Sequence, residues 1–429
     1  MKSFLSALLL FAFFNQIDNA RAQAYSFSTI AGAVGMSGTA DGTNAAARLS
    51  FPTGMAVDTN GNVYFADRSG NSAIRKMTRD GTNWIVTTIA GSSAFGFRDG
   101  TNSGAIFNTP GGVALDKAGN LYVADVNNHC IRKMVPDGTN WIVTTIAGGG
   151  TAGGYVGLQG AADGTNRSAR FFQPVRVAVD SETNIYVADY LNNAVRKVVP
   201  DGTNWVTTTI AGVMGSGGNV DATNNSARFR APNGTAFDSA GNLYVSDAGS
   251  NNTLRKLTPD GTNWVVTTIA TGFSTPACVA IDRFDNIFVA DVSNHRIKKL
   301  TSTGTDWIVT SIGGNGISGS ADGVGSAAQF NRPDGVAVDA AGNVYVGDSV
   351  NRTMRLGKPL PALQLSLANG QTILSWGIWP TNFVLESTGD FSPTHVWSLV
   401  NAHVETTNQQ NSVTLPTQTE NSFFRLKQF

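Results

Sequence analysis

The sequence predicts an all-β protein: a six-bladed β-propeller with four antiparallel strands in each blade, followed by a small C-terminal β-sandwich. Three observations predict it. A phrase of the type Gly-Asn-hydrophobic-Tyr-Val-Ala-Asp, then Ile-Arg-Lys, then Asp-Gly-Thr-Asn-Trp recurs along the chain. Within each copy apolar residues alternate with polar ones between turn residues, which is typical of strands. The chain also begins with a strand that belongs to none of the copies.

The spacing of one aspartate defines the repeat. The Asp that closes the first strand of each copy recurs at steps of 58, 64, 58, 44 and 57 residues, at Asp58, Asp116, Asp180, Asp238, Asp282 and Asp339. A second Asp follows nine residues later, at Asp67, Asp125, Asp189, Asp247, Asp291 and Asp348. Repeats of this kind bury their apolar residues only against neighbouring copies, so they form solenoids or propellers.

The first copy illustrates the four strands. We predict strands at 54–57, 63–66, 74–77 and 84–90. Asn-Gly and Asp-Gly turns, which tolerate positive φ, connect the first strand to the second and the third to the fourth. The 44-residue step reflects a shorter crossover before the fifth copy, at 270–276, which lacks the insertion beginning Asp-Gly-Thr-Asn that is present at 41–49 and 163–171. Four such strands are typical of a propeller blade.

The N-terminus decides between a solenoid and a ring. The sixth copy ends at Leu356 without a fourth strand, whereas the segment Tyr25–Gly32 resembles a fourth strand without a copy of its own. We expect Tyr25–Gly32 to pair with Thr353–Leu356 and to close the ring, since this removes two exposed sheet edges.

The ends of the chain indicate export. A basic start, the apolar run 4–14 and an Ala-x-Ala site predict a signal peptide over 1–22, and the run is too short to span a membrane. We expect a secreted or periplasmic protein and assign 23–357 to the propeller and 358–429 to the sandwich. The two cysteines, Cys130 and Cys278, lie three blades apart and should not form a disulfide.

The phrase Val-Ala-Val-Asp-x-x-Gly-Asn-Val-Tyr-Val-Ala-Asp-x-x-Asn-x-x-Ile-Arg-Lys resembles the NHL-repeat family. Its Asn-His-hydrophobic triplet is present at 128–130 and, loosely, at 294–296, and the likeness covers about residues 25 to 357. The resemblance implies a six-bladed, TolB-like propeller, a fold that serves enzymes, sensors and scaffolds alike. The tail, with Trp-x3-Pro and a terminal Phe-Phe-Arg-Leu, resembles the fibronectin-III-like module of exported bacterial proteins.

Composition and motifs favour a protein without catalytic function. The 30 basic and 30 acidic residues cancel, which argues against nucleic acid as a partner. Some relatives of the NHL type are zinc lyases with several channel histidines, whereas this propeller has only His129 and His295, both in the repeat's own triplet. We therefore expect no zinc site, no other metal and no cofactor. The repeated aspartates are expected to be structural, as acceptors in Asx-turns.

Residues that depart from the repeat are the candidates for binding. Two positions after the proline of each copy stand Gly54, Gly112, Arg176, Gly234, Cys278 and Gly335. After each second Asp stand Arg68, Val126, Tyr190, Ala248, Val292 and Ser349. Successive strands of an antiparallel blade run in opposite directions, so the crossover loops and the loops between the second and third strands lie on one face. Both series are therefore expected on the face with the long crossover loops, at the mouth of the channel. We predict a ligand site at Arg176, Tyr190, Cys278 and Arg68; the alternative is neutral variation at an exposed loop.

The sequence thus predicts a secreted, monomeric, non-catalytic propeller that binds an unidentified protein, peptide or glycan on its long-loop face. One alternative is a metal-dependent hydrolase or lyase of the six-bladed gluconolactonase type. That activity would need unique acids on the innermost strands, and we expect none: the unique acids Glu182 and Asp285 lie in hairpin turns. A second alternative is a structural element of an envelope assembly.

Overall fold

The computed structural model describes residues 23–149, 151–152, 155–361, 363–368, 371–377, 383–388, 396, 398–407, 410–416 and 422–428. The predicted signal peptide lies outside these residues. The chain divides into two compact units, one formed by Ser26–Lys358 and the other by the residues on either side of it. Each unit is described by itself.

The first unit consists of repeated antiparallel sheets, built from strands that follow the sequence copies. β1 (Tyr25–Gly32) precedes them. Sheet 1 comprises β2 (Gly42–Thr43), β3 (Pro52–Val57), β4 (Val63–Asp67), β5 (Ala73–Asp80) and β6 (Asn83–Gly91). Sheet 2 comprises β7 (Gly100–Thr101), β8 (Pro110–Leu115), β9 (Leu121–Asp125), β10 (Cys130–Asp137) and β11 (Asn140–Gly148), and a small hairpin follows, β12 (Thr151–Ala152) with β13 (Tyr155–Val156). Sheet 3 comprises β14 (Gly164–Thr165), β15 (Pro174–Val179), β16 (Ile185–Asp189), β17 (Ala194–Asp201) and β18 (Asn204–Gly212).

The second half repeats the pattern. Sheet 4 comprises β19 (Ala222–Thr223), β20 (Pro232–Phe237), β21 (Leu243–Asp247), β22 (Thr253–Asp260) and β23 (Asn263–Ala270). Sheet 5 comprises β24 (Pro276–Ile281), β25 (Ile287–Asp291), β26 (Arg296–Ser302) and β27 (Trp307–Gly313). Sheet 6 comprises β28 (Gly323–Val324), β29 (Pro333–Val338), β30 (Val344–Asp348) and β31 (Thr353–Pro359), together with β1. Short 3-10 turns lie at Asn44–Ala46, Asn102–Gly104, Val126–Asn128, Asn166–Ser168, Tyr190–Asn192, Asn224–Ser226, Val292–Asn294 and Gly325–Ala327.

The innermost strands follow one another in a closed cycle. β3 contacts β8, β8 contacts β15, and the series continues through β20, β24 and β29, which contacts β3 again. Apolar clusters lie between neighbouring sheets, as where Phe107 and Val113 of the second copy pack with Ile74 of the first. The core is therefore distributed among the junctions between sheets, as expected of stacked repeats.

The N-terminal strand takes the predicted place in sheet 6. The strand order is β28-β1-β31-β30-β29, so β1 lies beside β31. On its other side Ser26 pairs with Val324 and Phe27 with Gly323. β1 thus joins a sheet whose other strands lie some 290 residues further along the chain, and Thr29 donates its backbone N–H to Asp322 across 293 residues.

The prediction of four strands per copy holds only for sheet 5. The other five sheets have a fifth, two-residue strand on the outer side, formed by the crossover segment that reads Asp-Gly-Thr-Asn in sheets 1 to 3, Asp-Ala-Thr-Asn in sheet 4 and Asp-Gly-Val-Gly in sheet 6. In sheet 1 this strand pairs Gly42 with Val86 and Thr43 with Ile85. The segment was expected to be loop, because two residues carry no periodicity from which a strand could be predicted. Sheet 5 lacks the strand because its crossover lacks the segment.

The first aspartate of each copy shapes a turn. Asp58 Oδ1 accepts the backbone N–H groups of Asn60 and Asn62, each at 2.9 Å, and its Oδ2 accepts the Asn62 amide at 2.8 Å. The hydroxyl of Tyr64 donates to the same oxygen at 3.3 Å. Burial, and then the Asp58 charge, raise the pKa of Tyr64 to about 12. The structural interpretation of this aspartate series is thereby confirmed.

The second aspartate of each copy forms a buried ion pair. Asp67 and Arg75 are both 0% exposed, and Arg75 Nη1 lies 3.0 Å from Asp67 Oδ2. The other Asp67 oxygen accepts the backbone N–H groups of Ser50 and Phe51. Arg75 Nη2 reaches Asp41 of the crossover segment at 3.0 Å. A buried charge needs partners of this kind, and the second contact of Arg75 fixes the crossover to the sheet.

Sheet 5 shows how the pair depends on the crossover. The arginine is replaced there by Lys298, whose Nζ lies 3.0 Å from Asp291 and donates to the Gly272 carbonyl at 2.7 Å. In the other sheets, the second guanidinium nitrogen of the arginine contacts an aspartate of the crossover segment. Sheet 5 lacks this segment and therefore lacks this aspartate. A lysine suffices because only one carboxylate remains.

The second unit contains two antiparallel sheets. Their strands are β32 (Gln364–Ala368), β33 (Gln371–Gly377), β34 (Phe383–Thr388), β35 (Ser398–Leu399), β36 (Glu405–Thr407), β37 (Gln410–Pro416) and β38 (Phe423–Gln428). One sheet has the order β32-β33-β37-β36 and the other β35-β34-β38. Leu374 and Trp376 of the first sheet and Leu385 of the second share one apolar cluster.

Candidate functional site

The predicted residues stand where regular pairing is interrupted. In all six innermost strands the register with the next strand shifts just after the proline, in β15 between Pro174 and Arg176. This position carries glycine in four copies, Arg176 in the third and Cys278 in the fifth. The glycines let neighbouring strands approach closely: a Cβ on Gly234 would lie 2.2 Å from the Ala277 carbonyl oxygen, and one on Gly335 2.2 Å from that of Thr53.

The Arg176 side chain spans the centre of the ring. It starts from sheet 3 and forms an ion pair through Nη2 with Asp334 of sheet 6, three places away in the cycle and therefore opposite. Between these two sheets the side chain packs against Gly54 and Gly112. A Cβ on Gly54 would lie 2.6 Å from Arg176 Nε, and a Cβ on Gly112 would lie 2.6 Å from Arg176 Cδ. The guanidinium thus occupies room that those two glycines leave open.

Arg176 is buried rather than exposed at the mouth. Only 4% of the residue is accessible, which is incompatible with the alternative of variation at an exposed loop. Burial alone would lower the pKa of Arg176, but Asp334 and the Cys278 thiol outweigh it, so the pKa is raised. The guanidinium is therefore a permanent charge held by a carboxylate across the ring.

Cys278 lies beside this pair. It is 6% exposed, its Sγ donates to the Val336 carbonyl at 3.3 Å, and its thiol also interacts with Arg176. Both Cys278 and Cys130 are free thiols, as the distance between their copies predicted.

Arg68 and Tyr190 belong to the loops between the second and third strands. Arg68 follows β4 and is held by its backbone N–H, which donates to the Phe51 carbonyl at 3.0 Å. Tyr190 opens a 3-10 turn after β16 and packs against an apolar cluster that includes Val126 and Val175. These loops and the crossovers form one face of the unit, here called the long-loop face.

The Arg68 guanidinium has no direct hydrogen-bond or ion-pair partner among the described residues, although it is half-buried. Burial lowers the pKa of Arg68; Arg176 acts in the same direction, whereas Asp334 and Tyr190 oppose it. A guanidinium so placed is well suited to an incoming anion, because the desolvation cost has already been met by the fold.

The structure therefore brings all four predicted residues together. Arg176 contacts Cys278, and both Arg176 and Tyr190 lie close enough to Arg68 to affect its pKa.

Sequence reasoning missed Asp334, and the expectation that the innermost strands carry no unique acid was wrong. The signal was present: the position after the proline is occupied by Thr53, Gly111, Val175, Asn233, Ala277 and Asp334.

Asn233 is the second residue that was missed. It occupies in β20 the position that Asp334 occupies in β29. Its Oδ1 is buried and has no hydrogen-bond partner among the described residues, and the same is true of Arg176 Nε. Buried polar atoms are nearly always paired. At the centre of the ring, Asn233 Oδ1 can therefore still accept a hydrogen bond and Arg176 Nε can still donate one.

Two features are absent from the part of the chain that the structure describes. No group of three or more His, Cys, Asp or Glu side chains there is arranged to hold a metal ion. No helix there is long and apolar enough to cross a membrane.

Comparison with known proteins identifies the repeat of this chain as an NHL repeat. The NHL repeat model matches residues 107–134, 273–300 and 330–358, so the chain contains NHL repeats. The protein SUPPRESSOR OF QUENCHING 1 of Arabidopsis thaliana is 30% identical over 334 residues, which cover 72% of this chain. The chain spans 30% of the length of that relative.

Solved structures show the same all-β, propeller-like fold. A structural genomics protein of unknown function from Bacteroides thetaiotaomicron matches with a TM-score of 0.57 and 20% identity, over 78% of this chain and 76% of its own. A gluconolactonase from Xanthomonas campestris matches with a TM-score of 0.48 and 15% identity, over 80% of this chain and 99% of its own. A likeness at that level carries no argument about activity.

Proposed function

We propose that this protein is a non-catalytic, exported binding protein that takes up an anionic group of its ligand on the long-loop face. The observation that carries this proposal is the Arg68 guanidinium, which is half-buried, lies near Arg176 and Tyr190, and forms no hydrogen bond or ion pair with any described residue. Charge-assisted hydrogen bonds from a guanidinium to a carboxylate are among the strongest in proteins.

The architecture behind this proposal is a six-bladed propeller with a C-terminal β-sandwich. In it, sheets 1 to 6 are the blades and the two sheets of the second unit are the layers of a fibronectin-III-like module. Long loops on a rigid scaffold are the usual location of binding residues. Residues 1–22 would act as a signal peptide and would direct the mature monomer out of the cytoplasm.

The Arg176–Asp334 pair supports binding rather than catalysis. A general base or a metal ligand needs an available carboxylate, and Asp334 is engaged by a buried guanidinium. The pair also lies across the ring, so a ligand would approach Arg68 from the face and would not pass through the centre.

An array of glycans and synthetic peptides, probed with the purified full-length protein, tests the proposal. We expect binding to anionic members, and Arg68→Gln should weaken it about ten- to hundredfold, since a hydrogen bond to a charged group contributes about 1.5–3 kcal/mol. Arg283→Gln is the matched control, because Arg283 lies in a tight turn on the opposite face, against Phe284. Equal binding by wild type and Arg68→Gln would refute the site.

The hydrolase alternative has its own test. Asn233 and Asp334 place a free amide oxygen and a carboxylate on innermost strands, which are ligand types that a divalent cation accepts. Metal analysis of the purified protein, with Asp334→Asn as the comparison, decides this case. A stoichiometric metal that is lost in Asp334→Asn would favour the metal-dependent hydrolase or lyase. An array without any binding would instead favour the structural role in an envelope assembly.

A further inference from the structure

Exposed apolar side chains gather at one sector of the long-loop face. Val34 is 52% exposed, Met36 53%, Ile317 65% and Val350 38%. They come from three segments: the crossover to sheet 1, the crossover to sheet 6, and the loop after β30. Single exposed apolar residues are ordinary, but a group of them is typical of a binding surface. We call these four residues the apolar patch.

Asn351 holds the three segments of the apolar patch together. Its carbonyl accepts the backbone N–H of Gly35 at 3.3 Å. Its amide donates to the Gly319 carbonyl at 2.7 Å and to Asp348 at 2.8 Å. The Arg352 guanidinium adds a hydrogen bond to the Gly35 carbonyl. The apolar patch is therefore an ordered surface, although it is made of loops.

The apolar patch continues to Arg68 through the junction of sheets 6 and 1. The Ser349 hydroxyl, next to Val350, donates to the Pro52 carbonyl at 2.6 Å. The residue before Pro52 is Phe51, whose carbonyl accepts the Arg68 N–H. In sheet 6 the Val350 N–H donates to the carbonyl of Asn331, three residues before Asp334. The same junction thus carries an aliphatic surface and a guanidinium without a counter-ion.

We propose that the ligand is a peptide segment whose apolar side chains cover the apolar patch and whose carboxylate binds Arg68. The inference rests on the proposed function and adds the class of the ligand. The carboxylate completes the charge balance at Arg68, and the apolar side chains remove the four exposed side chains from water.

The chemistry of the surface favours a peptide over a glycan. Three of the four side chains are aliphatic and the fourth is a thioether, so none donates a hydrogen bond to a sugar hydroxyl and only the Met36 sulfur is a weak acceptor. Methionine adapts its shape to different apolar partners, which suits side chains of a peptide. A charged group beside an apolar surface also fixes the direction in which the segment lies.

Short synthetic peptides test this with the full-length protein. One set carries Leu, Ile or Phe next to a single Asp or Glu, and a matched set carries Asn or Gln in place of the acid. Binding is measured by fluorescence anisotropy. The variants are Val34→Ser/Met36→Ser/Ile317→Ser and Arg68→Gln. The control is Phe284→Ser, which removes an apolar side chain that is 71% exposed in a tight turn on the other face.

We expect the acidic peptides to bind and the amide peptides to bind about tenfold or more weakly. Arg68→Gln should remove that difference, and the triple Ser variant should weaken both sets about tenfold or more. Phe284→Ser should change neither. Circular dichroism melting confirms that each variant is folded.

The other outcomes separate the two proposals. If Arg68→Gln weakens anionic ligands but the triple Ser variant binds as wild type does, this inference is overturned and the proposed function stands. If neither variant affects binding, both are overturned. Binding to anionic lipid vesicles without any peptide binding, or a dimer in light scattering that the triple Ser variant dissociates, would assign the apolar patch to a membrane or to a second copy and would overturn the inference.

Discussion

At the scale of single residues, Arg176 and its two glycine neighbours form one packing unit. The guanidinium lies in the room left by Gly54 and Gly112 and reaches a carboxylate on the opposite sheet. Arg176 therefore requires glycine at both positions, and at Gly54 the approach of the neighbouring strand requires it as well, since a Cβ there would lie 2.8 Å from the Gly112 Cα. The contact between Gly112 and Arg176 can be tested, because the two atoms nearest to a Cβ on Gly112 would both belong to the Arg176 side chain.

We expect Gly112→Ala to destabilise the protein by about 1–3 kcal/mol, as overpacked core positions do. A Cβ there would lie 2.6 Å from Arg176 Cδ, whereas the nearest backbone atom, Gly54 Cα, lies at 3.5 Å. In an Arg176→Ala background the added methyl group should cost little. The coupling free energy between the two positions is measured by urea unfolding of four proteins: wild type, Gly112→Ala, Arg176→Ala and the double variant. Equal costs in both backgrounds would mean that Arg176 does not fill this space.

The candidate residues could be identified from the sequence because a repeat makes departures visible. Arg176, Cys278, Arg68 and Tyr190 each replace a small or apolar residue of the other copies. The pairing of Arg176 with Asp334 could not be predicted, since it joins residues 158 positions apart through the interior of the ring. Asp334 could not be recognised in the same way, because its position carries a different residue in every copy and no departure from a rule is visible there.

At the scale of elements, β1 is the strand on which sheet 6 depends. Phe27 is 1% exposed, and its ring meets that of Phe330 edge-on with centroids 5.1 Å apart. Without β1, β31 would present an unpaired edge, which invites aggregation. The position of β1 beside β31 could be predicted because the sixth copy lacked a fourth strand. The two-residue outer strands could not, because their pairing is set by the buried arginine and its crossover aspartate.

Phe27→Ala should destabilise the first unit by about 3–5 kcal/mol, the usual cost of removing a buried phenylalanine. The physical reason is a cavity between β1 and the Phe330 ring. Phe284→Ala serves as the control and should change stability by less than about 0.5 kcal/mol, since Phe284 is 71% exposed. Chemical unfolding monitored by tryptophan fluorescence measures both. A similar small effect for Phe27→Ala would contradict the role of β1.

At the scale of the whole molecule, the first unit carries its own core. The apolar clusters between its sheets contain residues of Ser26–Lys358 alone, and the apolar cluster of the second unit contains residues of the tail alone. A unit with a complete core of this kind is expected to fold by itself.

A chain that ends at Lys358 should therefore keep the melting temperature of the first unit. The matched control ends at Arg352 and so loses β31, whose Met354 and Leu356 belong to the apolar cluster shared with sheet 1. We expect that control to aggregate or to remain unfolded. Differential scanning calorimetry distinguishes the two chains. Loss of the transition in the longer chain would show that the tail contributes to the core of the first unit.

The place of β1 also has a consequence for folding kinetics. This strand is synthesised first, yet its neighbours in sheet 6 follow only after roughly 290 intervening residues, so its docking closes one of the longest loops in the chain. Contacts of such high sequence separation form slowly. Until then, the segment Ser-Thr-Ile-Ala-Gly can pair with β5, β10 or β17, since their own partners end in the nearly identical Thr-Thr-Ile-Ala-Gly. Mispaired intermediates of this kind should populate during refolding and should resolve only when β31 becomes available.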